Sequence, residues 1–158
     1  DWFKREVRYS LLPNGIANDR VRQVGGRYDD TTDFDFMIRM GVWTENLALP
    51  AVLNECMMQS WTGVIRLFPN PRGLGPARFN NLRAVGAFLV SASYDGKKVS
   101  GVTILSEKGS KVRLANPWPD SRLRVTRTRD RSALEIAVKG AVGEFPTKAG
   151  ETYRIDSI

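Results

Sequence analysis

The hydrophobic period of this chain changes once, near its middle, and that change limits what it can fold into. Leu49, Val52, Leu53, Cys56 and Met57 recur at i, i+3, i+4, i+7 and i+8, which is one apolar face of an α-helix. Ala48 and Ala51 suit the same face, and Pro50 fits the first turn, where its missing N–H costs nothing. The pattern predicts a helix over 48–60. After Gly63 the period falls to two. "VIRLF", Val64 to Phe68, is β-branched and aromatic and is closed by Pro69, so it reads as a strand. Phe88, Val90, Ala92 and Tyr94 then alternate with Leu89, Ser91 and Ser93. Asp95-Gly96 supplies a turn and Val99 to Leu105 returns, which makes a β-hairpin. "SKVRLAN", "SRLRVTRT", "ALEIAVK" and a short "TYRID" follow as further strands. Short strands at regular spacing argue for an antiparallel sandwich. The fold class expected is α+β, mainly β: a loop-rich segment with a helix over 1–61, then an antiparallel β-sandwich over 62–158.

The 158 residues suffice for one compact domain, or for a small domain plus a piece of another. Residues 12–35 are rich in Gly, Asn and Asp, which favour turns; a loop of that length is often a functional or contact-making one. The chain begins at Asp1 and shows no basic head followed by an apolar stretch, so no signal peptide is visible and a fragment or processed product is expected. No apolar run approaches the ~20 residues of a membrane span, and no membrane partner is expected.

Composition removes several chemistries. There is no histidine and one cysteine, Cys56. Ser-His and Cys-His catalysis, an intramolecular disulfide and a multi-cysteine metal site are therefore all excluded. Any reaction must use carboxylates, amides, Lys, Arg or Tyr. Cys56 falls on the apolar helix face, where a buried structural thiol is the expectation. The net charge of +7 is uneven: residues 1–60 carry a balance of −2 and residues 61–158 a balance of +9. "RLRVTRTRDR", Arg122 to Arg131, is the nucleic-acid candidate. On a strand, Arg122 and Arg124 take one parity and Arg127, Arg129 and Arg131 the other, so it reads as a solvated or inter-domain face, and no nucleic-acid partner is expected. The acidic run "DDTTDFD", Asp29 to Asp35, lacks the position-12 Glu and central Gly of a calcium loop and reads as a solvated turn. No cofactor is expected.

Two stretches together, "ENLALPAVLNECMMQSWTGVIRLFPNP" and "LRAVGAFLVSASYDGKKVSGVTILSEKGSKVRL", resemble the end of glycoside hydrolase family 95, the α-L-fucosidase family. In that family the last helix of an (α/α)6 barrel runs into a Gln-Ser, a Glu-Gly, an apolar strand and a proline. A Leu-Arg-Ala-Arg-Gly-Gly-Phe-type strand and an Asp-Gly hairpin follow, within a C-terminal β domain. The counterparts here are Gln59-Ser60, Thr62-Gly63, Val64 to Phe68, Pro69, Leu82 to Phe88, and Asp95-Gly96. The resemblance covers roughly residues 41–115. It implies the tail of a larger carbohydrate-cleaving enzyme, an inverting exo-glycosidase, whose bacterial members usually act in the periplasm or outside the cell.

The resemblance also implies a site. A family stretch Ile-Asp-Gly-Asn-Phe-Gly precedes the helix and lines the sugar pocket. Counting back from Gln59-Ser60 places its Asn on Asn46, its Gly on Glu45 and its Asp on Thr44. Family members use that Asp, with asparagine amides, to activate water, while a Glu from an earlier loop acts as general acid. Inversion requires the two carboxyl groups about 6.5–9.5 Å apart. Thr44 stands where the family has its carboxylate, and Glu45 would take that role with the loop shifted by one residue. Glu45 and Asn46 are thus the candidate catalytic residues, and Trp43 and Thr44 the candidate substrate-binding ones, Trp43 stacking on a sugar ring. The alternative for "TEN" is a helix cap, with a carboxylate favoured in the first turn. Trp61, at the junction of helix and sandwich, and Trp118 are expected to pack. If the helix lacks its barrel partners, its apolar face must be covered or exposed, and self-association through 48–60 is expected. The alternative reading of the chain is a non-catalytic β-sandwich module that binds carbohydrate or protein.

Overall fold

The computed structural model describes residues 51–158. By contact, Asn54–Ile158 forms one compact unit. The helix is seen over 51–57, three residues shorter at its end than the periodicity predicts. The reason lies in the next two residues. Met58 is buried in the sandwich core and pairs with Leu67 as strand β1 (Met58–Gln59) meets β2 (Arg66–Leu67). The Phe68 N–H donates to the Met57 carbonyl at 2.8 Å, extending that pairing back to the helix end. Extended backbone at Met58 is incompatible with another helical turn.

The helix face also departs from expectation. Cys56 is exposed, not buried, and Val52 and Leu53 are exposed with it. A 3.6-residue period shows which residues share a face, but not whether anything lies against it. Trp61, expected to pack, is 73% exposed. It sits on the tight β1–β2 turn, where the Gly63 N–H donates to the Ser60 carbonyl and Gly63 takes φ 74°. Only two residues of the "VIRLF" run pair in β2; Ile65 instead bridges Leu114 in parallel.

The main layer is a six-stranded sheet of order β3-β4-β5-β11-β7-β8. Its strands are β3 (Ala77–Ala84), β4 (Phe88–Tyr94), β5 (Val99–Ser106), β7 (Leu123–Arg127), β8 (Ala133–Leu134) and β11 (Glu151–Ser157). Every pairing in it is antiparallel. The β4–β5 hairpin stands as its alternation predicts. Phe88, Val90, Ala92 and Tyr94 point inward and are buried. Asp95 closes the turn by accepting the N–H groups of Lys97 and Lys98, each at 2.8 Å. The Leu82–Phe88 stretch is not one strand. It is the end of β3, a turn over Val85–Ala87, and the start of β4. Gly86 at φ 95° and Ala87 at φ 60° make that reversal, and a Cβ at Gly86 would lie 2.6 Å from Phe88 Cε2, so only glycine fits. Upstream, β3 carries a bulge between Phe79 and Leu82, with Asn81 at φ 54° donating its N–H to Ser91 Oγ at 3.0 Å. The bulge resets parity, so Phe79 and Ala84 both face the core.

The second layer is a three-stranded sheet, β6-β10-β9, made of β6 (Val112–Ala115), β9 (Ala137–Lys139) and β10 (Val142–Phe145). The "ALEIAVK" run breaks into β8 and β9, which belong to different sheets. Ile65 ties the β1–β2 ribbon to β6: its N–H donates to Arg113 O at 2.8 Å and its carbonyl accepts from Ala115 at 2.9 Å. Inward residues of both layers form one apolar cluster. Tyr153, Phe145, Ile65, Ile104 and Leu114 are its largest fully buried members, each contributing about 1.5–3 kcal/mol by burial. Phe68 packs on Phe79 and Tyr94 with ring centroids 5.4 and 5.5 Å away. Trp118 is half-buried as expected, packed against the cluster with its indole N–H donating to Val99 O at 2.9 Å. The antiparallel sandwich is therefore confirmed.

Candidate functional site

The four site residues that the sequence singles out, Trp43, Thr44, Glu45 and Asn46, lie outside the described residues, as does the Asp29–Asp35 run. What can be built is the chemistry of the sandwich. Its one buried acid is Glu144 on β10, at 7% exposure. Glu144 Oε1 accepts from Arg113 Nε at 3.0 Å, and Oε2 accepts from Lys111 Nζ at 3.2 Å with Lys139 Nζ at 3.7 Å. Register explains the convergence: Glu144 lies directly across from Arg113 on β6 and from Ala137 on β9. The cations, led by the Lys111 hydrogen bond and then that of Arg113, hold the Glu144 carboxyl below its ordinary value against the opposing pull of burial.

A small cavity of about 360 Å³ beside it is lined by Lys111, Leu134, Glu135, Ala137, Glu144, Phe145 and Pro146. Two carboxylates beside a cavity is the arrangement a glycosidase needs, but Glu144 does not suit the chemistry. Both its oxygens are occupied by cations, and a general acid needs a raised value rather than a lowered one. It is a structural anion closing the small sheet. A larger cavity of about 540 Å³ lies between the Asn116–Leu123 segment and the β9–β10 turn. Its Asn116 side chain is spent locally, accepting from the Trp118 N–H at 2.9 Å and donating to Ser121 O at 2.7 Å. Among the described residues no group of three or more Cys, Asp or Glu could hold a metal ion.

The Arg122–Arg131 stretch divides as its parity suggests, with one correction. Arg124 is exposed on β7, but Arg127 is turned in, with its side chain only 21% exposed and 2.9 Å from Asp130. Its Nε is buried without a partner among the described residues. Asp130 also accepts from the Ser132 hydroxyl and N–H at 2.6 and 3.0 Å, and these bonds with Arg127 pull its carboxyl down to about 2. One further contact was not legible: Ser60 Oγ accepts the Val85 N–H at 3.0 Å, which ties the Trp61 turn to the β3–β4 turn. Nothing in the spacing of residues 25 apart announces it.

The family profile described as glycoside hydrolase family 95, C-terminal domain, matches residues 59–155. The chain belongs to that family. The match runs from Gln59, the second residue of β1, to Ile155 within β11, so strands of both layers of the sandwich fall inside it. The matched region is the C-terminal domain of a glycoside hydrolase. No curated protein matches the chain. No described helix is long and apolar enough to cross a membrane.

Proposed function

We propose that this chain is the C-terminal part of an inverting exo-glycosidase of the α-L-fucosidase type, acting in the periplasm or outside the cell. In this reading the sandwich supports an upstream (α/α)6 barrel. The observation that carries it is the family-95 match over residues 59–155, preceded by a helix that enters the sandwich without a linker. Asn46 is then a pocket amide that orients the attacking water, and Glu45 the carboxylate that takes its proton, with Trp43 and Thr44 contacting the sugar. The general acid comes from upstream of Asp1. The domain boundary falls near Trp61, and the exposed apolar helix residues are where the chain self-associates when the barrel is missing.

The test is to extend the chain upstream of Asp1 and assay aryl glycosides, with α-L-fucoside among them, following product anomers by NMR. Turnover with an inverted anomer is expected, and Asn46→Ala and Glu45→Gln should each lower kcat by about 10²–10⁴-fold, the usual share of a positioned acid or base. A parent that turns over no sugar, with the variants folding and binding alike, would overturn it. That outcome would favour a non-catalytic carbohydrate-binding module, a reading supported by Thr44 standing where the family has its carboxylate.

A further inference from the structure

The outward face of the six-stranded sheet is laid out in register. Ser91 on β4, Thr103 on β5, Arg154 on β11 and Thr126 on β7 are cross-strand neighbours in one continuous row. Beside it, Arg78, Ser93 and Ser100 form a second row across β3, β4 and β5. On β11 and β7, Asp156 and Arg124 form a cross-strand pair two residues along from the Arg154 and Thr126 pair, on the same face. Arg78 and Arg124 thus stand on strands separated by four spacings of about 4.8 Å, roughly 19 Å apart across the sheet. Both are exposed, and neither has a carboxylate partner among the described residues. Asp156 is occupied by Arg154, whose Nε lies 3.0 Å from its carboxylate, leaving the terminal guanidinium nitrogens toward solvent. No aromatic side chain stands in either row.

We propose that this face binds an acidic polysaccharide, with Arg78, Arg124 and Arg154 holding its carboxylate or sulfate groups and the Ser/Thr rows bonding its hydroxyls. Guanidinium groups match planar and tetrahedral oxyanions in geometry as well as charge. Serine and threonine hydroxyls donate and accept, as sugar hydroxyls require. The choice of polysaccharide rests on the glycosidase reading. The layout itself argues against nucleic acid: single strands need stacking aromatics, and duplexes need a dense phosphate track or an element that enters a groove.

The test is affinity electrophoresis of the 158-residue chain through gels containing a polyuronate, a sulfated polysaccharide or a neutral polysaccharide, with double-stranded DNA run in parallel. Retardation by one or both acidic glycans and not by the neutral one is expected, and comparing the two tells carboxylate from sulfate. Arg124→Gln/Arg154→Gln should weaken that binding about tenfold or more. Arg131→Gln/Lys148→Gln removes the same charge off this face and should leave binding intact. Equal weakening in both double variants, equal or stronger retardation by DNA, or no retardation would each overturn the proposal. Since the altered arginines are exposed, an unchanged thermal melt verifies folding. The assay reads retention without hydrolysis, so its failure is distinct from a parent that fails to turn over aryl glycosides.

Discussion

The two sheets of this sandwich share one core but are stabilised differently. The inward face of the six-stranded sheet is mainly apolar, with Phe88, Val90, Ile104, Tyr153 and Ile155, and is broken at Ser106 and at Arg127. The three-stranded sheet presents Val112, Leu114 and Phe145, then places the Glu144 carboxylate against three cations, while β9 is exposed throughout. A small sheet with one apolar strand pair has too little hydrophobic area to close alone. It is held by ion pairs and by close backbone approach at Gly143, where an added Cβ would lie 2.5 Å from Leu123 Cδ1 and 3.2 Å from Ile136 Cγ2. The small sheet should therefore respond to acid first through Glu144, and the large one only through Asp130 beside β7, whose carboxyl is held down to about 2.

The harshest way to break that contrast is to empty the core from each side. Phe145→Ala, from the small sheet, should cost about 3–5 kcal/mol, and Ile104→Ala, from the large one, about 2–5 kcal/mol. Urea denaturation followed by tryptophan fluorescence measures both. If Phe145→Ala costs under about 1 kcal/mol, well below the usual range for a buried ring, the small sheet is a loose cover and not half of the core. Gly143→Ala comes next. Its backbone is ordinary, so the cost is overpacking against Leu123 and Ile136, about 1–3 kcal/mol. Combining it with Leu123→Ala should recover part of that loss, because the clashing atom is removed; simple additivity would show that the clash is relieved elsewhere.

How much of this contrast the sequence carries follows from where each sheet keeps its information. The β4–β5 hairpin was readable because Phe88 to Tyr94 alternates cleanly and Asp95-Gly96 names its own turn. Strand β10 was not, because "VGEF" puts a glycine and a glutamate at buried positions, and their compensation comes from Lys111, Arg113 and Lys139, which are distant in sequence. The "ALEIAVK" run looked like one strand because alternation cannot show that the chain changes sheets at Glu135-Ile136. The helix was readable as a helix, but its end was set by the tertiary pairing of Met58 with Leu67. Trp61 and Cys56 fail for one shared reason: apolar character predicts burial only where a partner surface exists. The candidate site was legible only through resemblance, since nothing in the spacing of Trp43 to Asn46 distinguishes a sugar pocket from a helix cap.

Acid sharpens the comparison further. The cations hold the folded Glu144 carboxyl below its ordinary 4.5, so its ionised form stabilises the sandwich above about that pH, and the contribution is lost as pH falls through the lowered folded value. Asp130, after β7, behaves alike but with its loss spread from 3.8 down to about 2. Thermal melts between pH 7 and 3 should show the wild-type midpoint falling on the acid side, and Glu144→Gln should start lower and lose less over that range. Asp130→Asn should also start lower, and its curve should approach that of wild type only below about pH 3.8, where the Asp130 contribution is lost. Identical acid curves for wild type and Glu144→Gln would mean that the three cations stabilise nothing through this carboxylate.

The smallest effect is expected at Trp61, which the sequence leads one to expect in the packing. Trp61→Ala should change the stability of this chain by no more than about 0.5 kcal/mol, the usual range for an exposed site without special contacts. The turn beneath it is made by the backbone, through the Gly63 to Ser60 hydrogen bond and the Ser60 hydroxyl on Val85, and neither needs the indole. Ser60→Ala removes that second bond and leaves a hydrogen bond's worth of stability unmade, about 0.5–1.5 kcal/mol, so it should exceed Trp61→Ala although it deletes a single oxygen. The reverse order in urea would show that the indole packs on the sandwich in solution. The expected order makes Trp61 a side chain whose apolar area is unused within the sandwich.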